Sequence, residues 1–255
     1  MKFCTLASGS AGNCILVESD GTYLLVDAGL ACAEIVRRLA EVGVAPDDIS
    51  GIVVTHEHTD HVRGVHVLSR RFRIPVYANS GTFRATPALE KAGRLVFFET
   101  GNPFTIGGLA VTPFSLSHDA ADPVGFVISD GRKTLGIAAD LGVATRLVVE
   151  RLRGADALVV ESNHDPEMLE RGPYPWPLKQ RIAGRLGHLS NEDCGALVQE
   201  LLHPGLRHVV LAHLSETNNA PELALRCVQS CMEDMDGQTT LHAARQDRPG
   251  PVFKL

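Results

Sequence analysis

Apolar positions along the chain follow two periods in turn. Cys14–Val17 and Thr22–Val26 are short apolar runs joined through Asp20-Gly21, and that dipeptide predicts a β-hairpin. Residues 33–42 place Ile35, Val36, Leu39 and Val42 at helical spacing, with Gly43 as the stop. Ile52–Val54 reads as a short buried strand, and residues 62–72 and 82–92 read as helices. Leu95–Phe98, Leu109–Phe114, Val124–Ser129 and Thr134–Ala138 read as strands separated by Gly-rich turns. Beyond them helix and strand alternate. Helices are predicted over 145–152, 191–202 and 221–234, and strands over 157–160, 208–211 and 239–243. Strands first and alternation afterwards predict layered sheets covered by helices. The Pro-rich stretch 171–178 interrupts the alternation and reads as a surface loop.

Composition narrows the class. The chain has 255 residues, 44% of them hydrophobic and 21% charged, with 24 Lys and Arg against 30 Asp and Glu. These values exclude disorder, collagen and coiled coil as the main architecture. The length suits one α/β domain over residues 1–255. No apolar run approaches the ~20 residues of a membrane helix. The opening Met1–Ser10 reads as a short strand and a turn, too soon broken for a signal peptide, so the expected location is cytoplasmic. The six cysteines form no CxxC pair and read as buried reduced thiols. A net charge of −6 argues against a chain coated with cations for nucleic acid, but leaves room for a local basic patch.

The chemistry concentrates in Thr55-His56-Glu57-His58-Thr59-Asp60-His61, directly after the apolar run Ile52–Val54. Three His and one Asp within six residues are improbable by chance in a chain with only 11 His. Imidazole and carboxylate suit zinc, manganese or iron. On a tight turn, His56 and His58 can point one way while Asp60 and His61 point another. That arrangement serves two adjacent metals better than one. His118, Asp140 and His213 share a position: each follows the C-terminal end of an apolar run. Strand ends meeting at one rim of a sheet would bring them together on rigid supports. Asp27 and Glu161 are placed the same way and read as groups that orient ligand imidazoles.

The pattern His56-x-His58-x-Asp60-His61, followed by His118, Asp140 and His213, resembles the metallo-β-lactamase superfamily over the whole chain. The resemblance implies an αβ/βα four-layer sandwich: two mixed sheets face to face, helices outside, and metals at one edge. It implies two divalent metal ions, zinc or manganese, with iron also open. His56, His58 and His118 would hold one, Asp60, His61 and His213 the other, and Asp140 would bridge both. Several further stretches resemble the YycJ (WalJ)-type branch. They are Leu6–Cys14, Thr55–His61, Ser117–Ala121, Glu161–Asp165, Tyr174–Ile182, Gly187–Asp193 and Leu211–Asn219. Gly172-Pro173 departs from it, standing where a more polar lead into Tyr174 is expected. This branch implies a phosphodiesterase acting as a 5′-to-3′ DNA exonuclease through a metal-bridging hydroxide, with Asp60 also shuttling its proton. RNA remains open as a substrate, no membrane is implied, and oligomeric state, a dimer included, stays open.

Gly187-His188-Leu189-Ser190 resembles the segment of ribonuclease Z whose His lies near the scissile phosphate. His188 would then stabilise phosphoryl charge and protonate the leaving alkoxide. Ser190 before Glu192-Asp193 is also a helix N-cap signal, so the stretch is partly structural. His164 stays open between site and scaffold, while His66, His203, His208 and His242 read as surface or core residues. Residues 171–191 lack Asp and Glu but carry Arg171, Lys179, Arg181 and Arg185 beside Tyr174 and Trp176. With the resemblance, Tyr174, Trp176, Lys179 and Arg181 become candidate contacts to phosphates and bases. A second basic cluster, Arg63, Arg70, Arg71 and Arg73 around Phe72, stays neutral between a solvated face and a contact surface. The rival readings are a small-molecule hydrolase, either a cyclic phosphodiesterase or a thioester or lactone hydrolase, and a metal-dependent binding module.

Overall fold

The computed structural model describes residues 1–232 and 239–255. These form two seven-stranded sheets. The first carries β1 (Lys2–Ala7), β2 (Cys14–Ser19), β3 (Thr22–Val26), β4 (Ile49–Val53), β5 (Val76–Ala78) and β6 (Leu95–Phe97). The second carries β7 (Phe104–Ile106), β8 (Leu109–Ser115), β9 (Val124–Ser129), β10 (Thr134–Ala138), β11 (Ala157–Glu161), β12 (His208–Ala212) and β13 (Thr240–Ala243). β14 (Phe253–Lys254) returns to the first sheet and pairs antiparallel with β1. Each sheet is antiparallel over one half and parallel over the other: β3 to β6 run parallel, as do β10 to β13.

Side-chain alternation explains why the parallel strands read as unbroken apolar runs. Leu24 and Val26 of β3, Ile137 of β10, Val159 of β11 and Val210 of β12 fill the layer between the sheets. Their neighbours face outward, onto helices. Leu25 packs with Ile35 and Leu39 of α1 (Cys32–Glu41), while Leu158, Val160, Val209 and Leu211 join the second outer layer. Strands buried on both faces have no polar side to alternate with. The result is helix, sheet, sheet, helix: the expected four layers.

Several helices begin or break where the periodicity gave no warning. The helix expected over 62–72 is two pieces, α2 (Thr59–Val62) and α3 (Val65–Phe72), parted at Gly64. The Gly64 N–H donates to the Ala28 carbonyl at 2.8 Å, so this backbone leaves its own ladder. The helix expected over 82–92 is α4 (Ser80–Ala85) followed by a 3-10 turn over Pro87–Lys91, because Pro87 cannot continue the ladder. Next come α5 (Arg146–Leu152), α6 (Pro166–Arg171), α7 (Trp176–Ile182), α8 (Asn191–Leu201) and α9 (Pro221–Cys231). The Pro-rich stretch is thus only partly a loop. Pro166 and Pro177 sit in the first turns of α6 and α7, where a missing N–H costs nothing. The expected helix over 221–234 is observed through Cys231, and positions 233 and 234 lie outside the described residues. β5, β7 and β14 are too short to leave a period in the sequence.

Two backbone segments touch without side chains between them. Asn13 N–H donates to the Asp60 carbonyl at 2.7 Å, and Ala28 N–H to the His61 carbonyl at 2.9 Å. A Cβ on Gly29 would lie 1.6 Å from the Asp60 carbonyl oxygen. Only glycine allows the 27–30 turn to lie against the His-rich loop. Gly29→Ala is therefore expected to lose roughly 1–3 kcal/mol of stability, the range for a forced overpacking. A urea-unfolding midpoint equal to that of the unsubstituted protein would contradict this contact.

Candidate metal centre

All the singled-out His and Asp side chains arrive from one rim of the paired sheets. Asp27 follows β3, the His56–His61 loop follows β4, His118 follows β8, Asp140 follows β10, Glu161 ends β11, and His213 follows β12. Ligands of open α/β sheets gather at the carboxyl ends of parallel strands, and most of these strands are parallel. Among the described residues, five non-glycine residues have positive φ, and three are here: Asp27 (61°), Asp140 (60°) and His213 (54°). A left-handed residue at a strand end leaves the ladder abruptly, at roughly 1–3 kcal/mol of local strain.

The donor atoms fall into overlapping groups. Those of His56, His58 and His118 lie within 4.8 Å of one another, and so do those of Asp60, His61 and His213. Asp140 groups with His56 and His61, and again with Glu161, His188 and His213. Its carboxylate lies 2.8 Å from His61 Nε2 and 2.9 Å from His213 Nδ1.

Outer hydrogen bonds orient five of the rings. His61 Nδ1 donates to Asp27 Oδ2 at 2.7 Å, and His118 Nδ1 donates to the Gly187 carbonyl at 3.0 Å. His213 Nδ1 and His188 Nδ1 each lie 2.8 Å from Glu161 Oε1. Thr55 Oγ1 donates to Asp27 Oδ2 at 2.8 Å and accepts from His56 Nδ1 at 3.0 Å. Asp27 thus holds His61 directly and His56 through Thr55. With Nδ1 occupied, Nε2 is the atom each of these rings has left to offer. His56 Nε2, His213 Nε2 and Asp140 Oδ2 are buried with no hydrogen-bond partner. Unpaired buried acceptors at one point are costly unless something positive lies between them.

Charge leads to the same conclusion. Asp27, Asp60, Asp140 and Glu161 put four carboxylates into one buried rim. Burial works against the charged form of Asp140, yet His213 and His61 hold it well below the usual carboxylate range. For His61 and His213 burial again opposes the charge, and the surrounding carboxylates, Asp140 first, push both well above the ordinary imidazole value. His56 goes the other way, lowered by burial and by the neighbouring His61. Burial likewise lowers His118. Here protons on His61 and His213 balance the buried carboxylates, and a divalent cation among the same imidazole and carboxylate donors would take over that positive charge and release those protons.

The remaining predicted residues divide. His188 sits beside the cluster with its side chain 22% exposed, 3.4 Å from Asp140 Oδ1. It lines a cleft of about 190 Å³ with Asp119, Tyr174, Leu178 and Arg181. Trp176 and Lys179 do not face that cleft; they lie on the other side of α7. The basic stretch is less cationic than it reads, because Arg171 pairs with Glu167 at 2.5 Å and Arg181 with Asp119 at 2.6 Å. Lys179 Nζ donates to the Glu170 carbonyl at 2.6 Å. His164 is buried, and its backbone bridges to Ser190. Ser190 caps α8 by accepting from the Asp193 N–H at 3.0 Å. In the second cluster, Arg71 stacks over Phe72 at 5.2 Å.

Sequence reasoning passed over three contributors. Asn13 Nδ2 donates to Asp60 Oδ2 at 3.2 Å. Thr55 links Asp27 to His56. Asp119 Oδ1 lies 3.4 Å from His118 Nε2 while its Oδ2 accepts from Arg181, so it ties α7 to the His cluster. All three fall inside stretches that resemble the YycJ-type branch, and that was the signal available.

A rim of strand-end imidazoles and carboxylates under a helix-covered double sheet defines a metal-centred protein of the β-lactamase type. A family profile described as a beta-lactamase superfamily domain matches residues 22–214. The chain is 40% identical over 239 residues to "Exodeoxyribonuclease YycJ" of Bacillus anthracis, covering 92% of this chain and 90% of that one. It is 39% identical over 228 residues to "Exodeoxyribonuclease WalJ" of Streptococcus pneumoniae serotype 2, covering 88% and 85%. The fold is shared with the Bacillus subtilis metallo-beta-lactamase fold protein YhfI (TM-score 0.77, 18% identity, 99% of both chains). It is shared also with PqqB of Methylobacterium extorquens (TM-score 0.71, 18% identity, 100% of both chains). The chain belongs to the metallo-β-lactamase superfamily, within the group of the YycJ and WalJ proteins.

Removing the support behind two rings should weaken cation binding without changing any donor. Asp27→Asn is expected to lower divalent-metal affinity about 10- to 100-fold, the usual cost of losing such a partner. Competition against a chromogenic chelator measures it, and an unchanged affinity would remove Asp27 from this role.

Proposed function

We propose that this protein is a dinuclear metal-dependent phosphodiesterase that removes nucleotides from the 5′ end of DNA. The observation that carries the reading is the continuity of the His and Asp cluster with the His188 cleft, in a chain 40% identical to a protein named an exodeoxyribonuclease. His56, His58 and His118 would hold one ion and Asp60, His61 and His213 the other, with Asp140 shared. The donor chemistry accepts zinc, manganese or iron. Bound there, two divalent ions supply Lewis acidity toward phosphoryl oxygens and a water acidified enough to act as nucleophile.

The chain's own residues supply the rest. Burial opposes the charge on His188, but Glu161 and then Asp140 raise it above the ordinary imidazole value. Burial equally opposes the charge on Glu161, and His188 and His213 bring it down to about 2. Glu161 is therefore an anion that keeps a proton on His188. With Nδ1 held by Glu161, His188 gives its other proton, on Nε2, to the departing alkoxide, and its charge balances a non-bridging oxygen. Asp60 is held by Asn13 and can take up the proton released by the attacking water. Tyr174 and Arg181, across the cleft from His188, would contact the nucleotide beside the scissile phosphate.

The test is digestion of end-labelled single- and double-stranded DNA, with RNA alongside, by metal-stripped protein refilled with zinc or manganese. Loss of nucleotides from the 5′ end only after refilling is expected, with two ions per chain by elemental analysis. Asp140→Ala should abolish it. His188→Ala should lower it about 10²- to 10⁴-fold, the range for a lost general acid. Turnover of a small phosphodiester or thioester with intact nucleic acid would move the substrate to a small molecule.

A further inference from the structure

α7 supplies Leu178, Arg181 and Ile182 to the wall of the His188 cleft, yet the helix has no buried residue. Much of its attachment is polar and comes from one short stretch, Ser117-His118-Asp119. Ser117 Oγ donates to the Arg185 carbonyl at 2.9 Å, and His118 Nδ1 to the Gly187 carbonyl at 3.0 Å. The Asp119 N–H donates to the Leu186 carbonyl at 3.0 Å. Three consecutive residues thus hold three consecutive carbonyls just beyond the helix. The fourth link lies within it: Asp119 Oδ2 accepts from Arg181 Nε at 2.6 Å. Asp119 Oδ1 lies 3.4 Å from His118 Nε2 and 4.0 Å from His58 Nε2. Even so, Asp119 does not belong to the donor group formed by His56, His58 and His118. Its carboxylate stands beside the cluster, and its bond goes to Arg181.

A carboxylate in a cleft that receives a phosphodiester repels the ligand, so its use lies in what it holds. The Arg181 side chain is 62% exposed, and a long exposed side chain loses rotamer freedom when a ligand orders it. Asp119 orders it beforehand. The bond uses Nε alone, and among the described residues neither Nη atom meets an acceptor. The Nη edge of a guanidinium is flat and two-pronged, and it matches two oxygens of one phosphate. We propose that Asp119 is a positioning residue for substrate binding: it holds Arg181 with that edge free for the phosphate adjoining the scissile one. The inference rests on the phosphodiesterase reading and deepens it. One stretch carries both the cluster residue His118 and the anchor of Arg181, so two adjacent residues set the span from the metal centre to the next phosphate. The substrate recognised therefore has at least two phosphates in succession, which a small diester lacks.

The experiment measures Kd by fluorescence anisotropy for dye-labelled, phosphorothioate-linked DNA, single- and double-stranded in parallel, on zinc-loaded protein over a range of salt. Asp119→Ala is expected to weaken binding about tenfold, the low end for a hydrogen bond to a charged group because Arg181 is exposed. Arg181→Ala should weaken it at least as much and lower the slope of log Kd against log salt by about one, as for one lost phosphate contact. The double variant should bind no worse than Arg181→Ala alone, because Asp119 acts only through Arg181. Asp119→Asn keeps an acceptor for Nε and should recover most of the affinity. In digestion, Asp119→Ala should raise KM for DNA more than it lowers kcat, and should cost more on DNA than on bis(p-nitrophenyl) phosphate. Unchanged or tighter binding by Asp119→Ala, or losses that add in the double variant, would overturn the proposal and leave the phosphodiesterase reading intact. Zinc loss from either Asp119 variant, read by elemental analysis, would make the residue a support of the metal centre and overturn it too. Hydrolysis of the small ester by unsubstituted protein that binds neither DNA would instead overturn the nucleic-acid reading, and the role of Asp119 with it.

Discussion

Everything at the rim follows from the burial of carboxylates. Asp27, Asp140 and Glu161 are each almost wholly shielded from water. An isolated buried carboxylate costs several kcal/mol even after relaxation, so each must be met by donors or by positive charge. The imidazoles meet that demand, and they reach it only because six strand ends terminate on one edge. The fold is thus more than a shelf for the site. Its parallel halves are registered so that the polar residues ending the strands arrive together, and the apolar layers beneath keep water from replacing any of the partners.

The same constraint explains where strain is placed. Asp27, Asp140 and His213 occupy left-handed backbone positions that most side chains avoid. Each sits one or two residues beyond a strand whose neighbours on both faces are packed. The sheets fix where the strand ends, the carboxylate network fixes where the side chain must go, and the backbone between them takes up the difference. Aspartate tolerates this conformation better than most residues. At His213 the N–H is also held by Ser8 Oγ at 2.7 Å, which supports the turn from the first sheet.

Most of this was legible in the order of residues, for physical reasons. Strands buried on both faces announce themselves as apolar runs, and a polar residue directly after such a run marks a rim. His118, Asp140 and His213 could be picked out on that rule although they share no local motif. The rule fails where position depends on contact across the chain. Thr55 looks like part of a motif, and its link from Asp27 to His56 needs the fold to be seen. The charge on 171–185 looked like a patch, yet Arg181 and Arg171 are matched by Asp119 and Glu167, one remote in sequence and one a helical turn away. The prolines of that stretch read as loop residues because Pro breaks a helix from within, whereas Pro177 sits in the first turn of α7, where it breaks nothing. Breaks at Gly64 and Pro87 are local in cause but fall inside periodic segments, which hides them.

β14 lies beside β1 although about 250 residues separate them. Protein synthesis runs from the first residue, at roughly 5–20 residues per second. One edge of β1 therefore waits on the order of 10–50 s on the ribosome before its partner exists, given that rate. An unpaired strand edge is a template for the wrong neighbour. Among the strand pairings of the described residues this edge is left open longest, and the first sheet is sealed only once β14 has been made.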